Sequence, residues 1–358
     1  MEHLMKKMGK KKMLGVFICI FIVIVVYSNS PTQRFLEPGN DLGTVEGWEF
    51  NTSRDASLYV LSDNSTILKP KDFCESPTFL LIIVCTAPPN EQNRNAIRQS
   101  WGSQRNVSGS LIKVFFLMGD SNNASIQQDI LDENVRHKDI IQDHFFDSYN
   151  NLTLKSIVML KLVSTYCIHS TTFLMKTDDD MYLNIPPLVH TLKAGNSTNI
   201  LLGSLICGAK PIKEIGNKWY TPSYMYSGKV YPNYLSGTGY VMSLDVASKL
   251  YEAALQTPIF HLEDVYITGI LSKSVKLRPR NNGGFTFVKR KYDPCVFKTA
   301  FTSHRLSPME IRDQYSQLQV INLEEECRLL QLSKNNSFNI FGYFSNSKAK
   351  PKKKKICY

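Results

Sequence analysis

Three aspartates in succession, Asp178-Asp179-Asp180, follow an apolar run, Phe173-Leu174-Met175, and the linking pair Lys176-Thr177. A short apolar run of this kind reads as a buried strand. Carboxylates just beyond a strand's carboxyl end lie where open α/β sheets bind ligands. Hard oxygens on a tight turn suit Mn²⁺ or Mg²⁺, which in turn neutralise phosphate oxygens. A solvated, Asp-rich turn is the other reading of the same residues. Glu263-Asp264 forms a second carboxylate pair at the start of a helix-like stretch, where acidic enrichment of a first helical turn is explanation enough by itself. A lone histidine near a domain end, His304, reads by itself as structural.

The elements around these residues alternate. Strands are expected at residues 78–85 (TFLLIIVC), at 111–118 (LIKVFFLM), through Leu174 and at 200–205. Between them, helical spacing marks residues 90–101, a stretch capped by Ser125, and residues 153–167. Ser243 is placed to cap another helix, and residues 262–271 continue with helix-like spacing. The run between Tyr220 and Pro232 reads as a loop, and the chain after Lys276 as strand-like and mixed. This order predicts an α/β fold with a mostly parallel sheet and helices on both faces. Arg94 and Arg98 form an i,i+4 pair, on a solvated helix face or facing an anion. Trp101 reads as core.

The net charge of +11 invites a nucleic-acid reading, which its distribution opposes. Residues 1–12 carry +4 and residues 348–355 carry +6, leaving +1 between them, so the body presents no basic face and no nucleic-acid partner is expected. An apolar run at residues 13–27 follows a lysine cluster and is shorter than a full span. Pro31 just after Ser28 and Ser30 is a poor cleavage context, so an uncleaved signal anchor is expected, a cleaved signal being the alternative. The lysines place the N-terminus in the cytosol and the body in the lumen; the short span favours early secretory membranes. The expected organisation is a cytosolic tail (1–12), a membrane anchor (13–28), a flexible luminal stem (29–73), a folded domain (74–335) and a basic tail (336–358). Seven sequons, at Asn51, Asn64, Asn106, Asn123, Asn151, Asn196 and Asn335, all lie beyond the anchor. Seven of the eight cysteines would be luminal, where disulfides form and an odd number leaves at least one over.

Five motifs in series give the chain a resemblance: AIRQSWG at 96–102, the run from Asp139-Ile140-Ile141 to Tyr149-Asn150-Asn151-Leu152-Thr153-Leu154-Lys155, MKTDDDMYLN at 175–184, YLSGTGYVMS at 234–243 and EDVYITG at 263–269. Over residues 74–327 the chain resembles the inverting β-1,3-glycosyltransferases of glycosyltransferase family 31, Golgi enzymes that transfer galactose or N-acetylglucosamine. The resemblance implies a GT-A-type nucleotide-sugar-binding fold, a UDP-sugar donor, Mn²⁺ and a glycan acceptor on glycoprotein or glycolipid, with a homodimer left open. It implies Asp180 as the direct metal ligand, Asp178 toward the ribose or a metal-bound water, and His304 completing the metal site. It assigns Asp264 as the base that deprotonates the acceptor hydroxyl, with Glu263 on acceptor hydroxyls.

Arg98 and Lys176 are candidates to meet the nucleotide, alongside Thr177, Asp178 and Asp179. Gly237 and Gly239 allow close approach to a sugar, or only a tight turn. Trp219, Tyr231 and Tyr234 are candidates to stack on acceptor sugars, or loop packing. The expected activity is β-1,3-galactosyl transfer from UDP-galactose to a terminal N-acetylhexosamine or galactose. The rivals are N-acetylglucosaminyl transfer, a non-catalytic luminal glycan binder and a metal-dependent phosphodiesterase. The motif Asp-Asp-Asp is shared by several donor specificities. The lysine-rich tail and the aromatic loop depart from the family pattern.

Overall fold

The computed structural model describes residues 43–60, 66–320 and 322–341, with side chains to residue 333. The apolar run at 13–27, the sequon Asn64, the side chain of Asn335 and the lysine-rich end lie outside the described residues. Among the described residues no helix is long and apolar enough to cross a membrane.

The strands are β1 (Thr66–Leu68), β2 (Thr78–Cys85), β3 (Asn106–Val107), β4 (Ser110–Asp120), β5 (Ile140–Phe146), β6 (Thr171–Asp178), β7 (Tyr182–Leu183), β8 (Leu201–Ile206), β9 (Tyr234–Ser243), β10 (Arg280–Asn281) and β11 (Thr302–Ser303). The longer helices are α1 (Glu91–Arg98), α2 (Ala124–His137), α3 (Leu152–Tyr166), α4 (Ile185–Lys193), α5 (Leu244–Ala254), α6 (Pro308–Val320) and α7 (Leu323–Phe341). The sheet runs β1-β5-β4-β2-β6-β9-β8-β10, with β3 beside β4, and β7 pairs separately with β11. β5, β4, β2 and β6 are parallel; β9 is antiparallel to both β6 and β8.

Helices cover both faces of the sheet, so β2 is apolar throughout instead of alternating. Leu81 and Ile83 pack with Leu154, Ile157, Val246 and Leu250 on one side. Leu80, Ile82 and Val84 pack with Ile97, Trp101, Leu188 and Ile311 on the other. Each fully buried side chain of this size contributes roughly 1.5–3 kcal/mol. Disulfides Cys74–Cys167 and Cys295–Cys327 staple the domain, Cys207 is also disulfide-bonded, and Cys85 is free and buried.

Several expectations are corrected. The segment between α2 and α3, read as passing from helix to helix, contains β5, whose fully buried Gln142 and Asp143 break its apolar signal. Residues 43–60, expected in a flexible stem, are folded onto the domain. Trp48 is buried and donates to the Asn150 carbonyl at 2.9 Å, and Arg54 donates to the carbonyls of Tyr224, Met225 and Ile259. Apolar anchors at irregular spacing leave no periodicity to read. Asn123, not Ser125, caps α2. The stretch after Lys276 is mostly loop, with two-residue strands β10 and β11. α7 continues to Phe341, past the expected domain end at 335. Arg94 and Arg98 do not line a solvated face: both grip the buried Glu133, at 2.6 and 2.7 Å.

Candidate active site

β6 is in register with β2, Asp178 lying opposite Cys85, so the aspartates emerge at the common carboxyl end of the parallel strands. The chain then turns into β7, whose Tyr182 pairs with Ser303 of β11. That pairing carries His304 back to the turn, with Nε2 3.2 Å from Asp180 Oδ2. His304 Nδ1 lies 2.8 Å from the Phe287 carbonyl. A proton on Nδ1 satisfies that carbonyl and frees the Nε2 lone pair, the usual way an outer partner orients a ligating imidazole. Burial opposes protonation of His304, but the Asp180 hydrogen bond and the Phe287 carbonyl hold it above the ordinary range.

Asp178, Asp180 and His304 each bring one ligand atom within 4.8 Å of the others. Among the described residues Asp180 Oδ1 is buried and has no hydrogen-bond partner, a costly state for a carboxylate oxygen unless a cation completes it. Two hard oxygens and an imidazole fit a divalent cation.

The middle aspartate points elsewhere. Asp179 Oδ2 accepts from Thr86 Oγ1 at 2.6 Å and Asn90 Nδ2 at 2.9 Å, with burial raising its pKa. Its expected role on the nucleotide is corrected to that of a brace tying the turn to the end of β2 and the start of α1. Trp101 is core, as expected, and braces the same turn through the Met181 carbonyl at 2.9 Å.

Asp264 stands just before a π-helix, Val265–Leu271, a local form that recurs at functional sites. The Gly237 amide donates to its Oδ2 at 3.1 Å and the Val265 amide to its Oδ1 at 2.9 Å. Burial first, then the charge of Glu263, push its pKa up to about 7; the two amides and Lys176 pull the other way. A β-carbon on Gly237 would lie 3.1 Å from Glu263 Oε2 and 3.2 Å from Asp264 Cβ, tight enough that a neighbour would have to give by a few tenths of an ångström. Gly239 meets only ordinary contacts, the nearest at 3.6 Å, and pairs with Thr177 within the sheet.

Four other assignments change. Glu263 does not face an acceptor: it is buried, accepting from Tyr240 at 2.6 Å and Ser156 at 2.8 Å. Lys176 is buried too, donating to Asp178 Oδ1 at 2.6 Å and the Gly237 carbonyl at 2.5 Å, with Glu263 at 3.8 Å. Its ammonium is thereby kept from a nucleotide and instead links the Asp178 side of the site to Gly237 and hence to Asp264. Thr177 is fully buried and donates to the Thr238 carbonyl at 3.2 Å. Arg98 is occupied by Asp139, through two bonds at 2.8 Å, as well as by Glu133.

Beside Asp264 stands an aromatic group. Trp219 is half exposed, Tyr234 is half-buried, and Tyr231 is buried with its hydroxyl 2.6 Å from Thr221 Oγ1. Tyr149, which sequence reasoning gave no role, joins them: Trp219 donates to its hydroxyl, and burial, then the charge of Asp264, push its pKa up to about 12. Its signal was its place in the Tyr149-Asn150-Asn151 run. Thr86, Ser156, Tyr240 and the Phe287 carbonyl were also missed; a neutral brace far away in sequence leaves no motif. Of the sequon asparagines, Asn51, Asn106, Asn123 and Asn196 are exposed, whereas Asn151 is half-buried and donates to the Phe146 carbonyl at 2.9 Å.

The galactosyltransferase family model matches residues 92–283. Human beta-1,3-galactosyltransferase 1 is 36% identical over 269 residues, covering 74% of this chain and 82% of its own. Human beta-1,3-galactosyltransferase 5 is 32% identical over 276 residues, covering 76% of this chain and 89% of its own. A solved glycosyltransferase that acts in glycosylation of the PBCV-1 major capsid aligns with 67% of this chain and 99% of its own, at 11% identity and a TM-score of 0.35, too low to bear on the assignment. The matched region holds both Asp178-Asp180 and Glu263-Asp264, and on that evidence the chain belongs to the galactosyltransferase family and is a hexosyltransferase.

Proposed function

We propose that the protein is an inverting β-1,3-galactosyltransferase that moves galactose from UDP-galactose to a terminal N-acetylhexosamine or galactose of a glycan. The observation that carries this is the pairing of a group able to hold a cation, Asp178, Asp180 and His304, with a separate carboxylate, Asp264, whose pKa is about 7. The names of the relatives support the linkage and the sugar.

Asp178, Asp180 and His304 would hold Mn²⁺, which supplies Lewis-acid stabilisation of charge on a departing nucleotide diphosphate. Asp264 takes the proton from the acceptor hydroxyl as that oxygen attacks the sugar from the face opposite the leaving group, which inverts the anomeric centre. A carboxylate titrating near 7 is a far better base at neutral pH than one near 4. The Gly237 and Val265 amides fix its two oxygens, and Trp219, Tyr149 and Tyr234 offer faces on which an acceptor sugar can lie.

We place the domain in the Golgi lumen behind a type II anchor. The lysines preceding the apolar run at 13–27 support the orientation. The disulfides Cys74–Cys167 and Cys295–Cys327 support an oxidising compartment.

The test follows UDP release with UDP-galactose or UDP-N-acetylglucosamine, Mn²⁺ and simple β-linked acceptors, in the native chain and in Asp264→Asn. Acceptor-dependent release from UDP-galactose alone, abolished in the variant while UDP still binds, is the expected result. Substantial transfer by Asp264→Asn would remove the base assignment, and release from the other donor would change the sugar.

A further inference from the structure

We propose that the preferred acceptor carries an anionic group near the hydroxyl that is glycosylated, and that Lys218 recognises it. This rests on the transferase reading above and narrows its substrate class.

Lys218 Nζ sits over the Tyr149 ring, 4.1 Å from its centroid. Tyr149 is the aromatic that Trp219 hydrogen-bonds and on which the charge of Asp264 acts. A cation is thus stacked on an aromatic ring close to the base. The charge of Asp178 acts on Tyr149 as well, but more weakly than that of Asp264; Lys218 is therefore assigned to the acceptor, which meets the base, and not to the donor's phosphates.

The loop that carries Lys218 is built to hold its shape. The Thr221 amide donates to the Ile212 carbonyl at 2.8 Å, and the Tyr231 amide to the Ala209 carbonyl at 2.9 Å. Residues 207–231 contain Lys210, Lys213, Lys218 and Lys229 against the single acid Glu214, a local excess in a body that is otherwise nearly neutral. Lys213 is used within the loop, donating to the Thr221 carbonyl at 2.8 Å. Lys210, Lys218 and Lys229 are exposed, and among the described residues none of them pairs with a carboxylate.

A neutral sugar would use the aromatic faces and leave this charge without a counterpart. A sulfate ester or a sugar carboxylate would meet it, and the cation–π contact keeps the ammonium in place without neutralising it. An exposed pair of this kind contributes at most about 1 kcal/mol, or about fivefold in kcat/KM.

The experiment compares three acceptors with the full-length protein: benzyl β-N-acetylglucosaminide, its 6-sulfate, and a disaccharide with a uronate next to the accepting sugar. At low ionic strength one anionic acceptor is expected to exceed the neutral one about fivefold in kcat/KM. High salt should shrink the preference, because the Debye length falls to roughly 3 Å at 1 M. Lys218→Gln should bring the charged-to-neutral ratio close to one, and Lys218→Arg should keep it. Whichever anion is preferred names the chemistry. A ratio near one in the native protein at low salt would overturn the proposal, as would a Lys218→Gln loss equal for charged and neutral acceptors. Should none of the three be turned over, calorimetric binding of the same compounds in the presence of UDP and Mn²⁺ makes the same comparison. Preferential anion binding lost in Lys218→Gln would then uphold the patch while the transferase reading failed by itself.

Discussion

The Gly237 amide donates to Asp264 Oδ2 at 3.1 Å, an approach so close that a β-carbon at 237 would crowd both carboxylates. Alanine at 237 would meet Glu263 Oε2 and Asp264 Cβ at 3.1 and 3.2 Å, so one of the two carboxylates must move. Displacement of a base by a fraction of an ångström lowers turnover steeply, and Gly237→Ala should reduce kcat at least about tenfold. Donor KM and the thermal midpoint should change little. Wild-type kcat in this variant would show that the close approach is not needed for transfer.

Activity should rise with pH through about 7, because Asp264, as the proposed base, works only when ionised and its pKa is about 7. Burial is the main cause of that value, and Glu263 adds to it. Glu263→Gln removes a neighbouring negative charge, which makes ionisation of Asp264 easier. The acidic limb of the kcat/KM profile should therefore move to lower pH. A limb that stays in place, or moves upward, would mean that Glu263 does not set the basicity of Asp264.

Cation binding should depend on Asp180 and His304 but hardly on Asp179. Asp180→Asn or His304→Ala should weaken Mn²⁺ affinity in the presence of UDP by at least about tenfold, as read by electron paramagnetic resonance titration. Asp179→Asn should leave that affinity near wild type, because Asp179 Oδ2 is held by Thr86 and Asn90. Equal losses in all three would mean that Asp179 is a ligand after all.

Trp48 tests whether residues 43–60 belong to the folded domain. It is 1% exposed and bonded to the Asn150 carbonyl. Trp48→Ala should destabilise by about 3–5 kcal/mol, seen as a lower urea midpoint at unchanged slope. A chain beginning at residue 61 should show a comparable loss. Full stability of either would return the segment to a loose stem.

Some of this was legible from composition and order alone. The unbroken apolar run of β2, the helical spacing of α3 and the carboxylates beyond β6 follow from local residue patterns, and they predict a mostly parallel α/β sheet with a ligand site at its carboxyl edge. Burial on both faces erases alternation, and that erasure is itself a signal. The order of five motifs pointed to the family, and the roles of Asp264 and His304 came through it.

Other roles were decided only by contacts between distant segments. His304 reaches Asp180 because two-residue strands β7 and β11 pair, and neither strand is long enough to show a period. Asp178, Asp179 and Asp180 are chemically identical in sequence; Thr86 and Asn90 turn the middle one inward and leave its neighbours grouped with His304. Lys176 and Glu263 look like free charges until β6, β9 and the start of the π-helix converge and bury them together. A sequence fixes the charge a side chain can carry. Whether that charge meets solvent, a ligand or a buried partner depends on which segments the fold brings within hydrogen-bonding distance, because electrostatic and hydrogen-bond energies depend on spatial separation and burial and not on position along the chain.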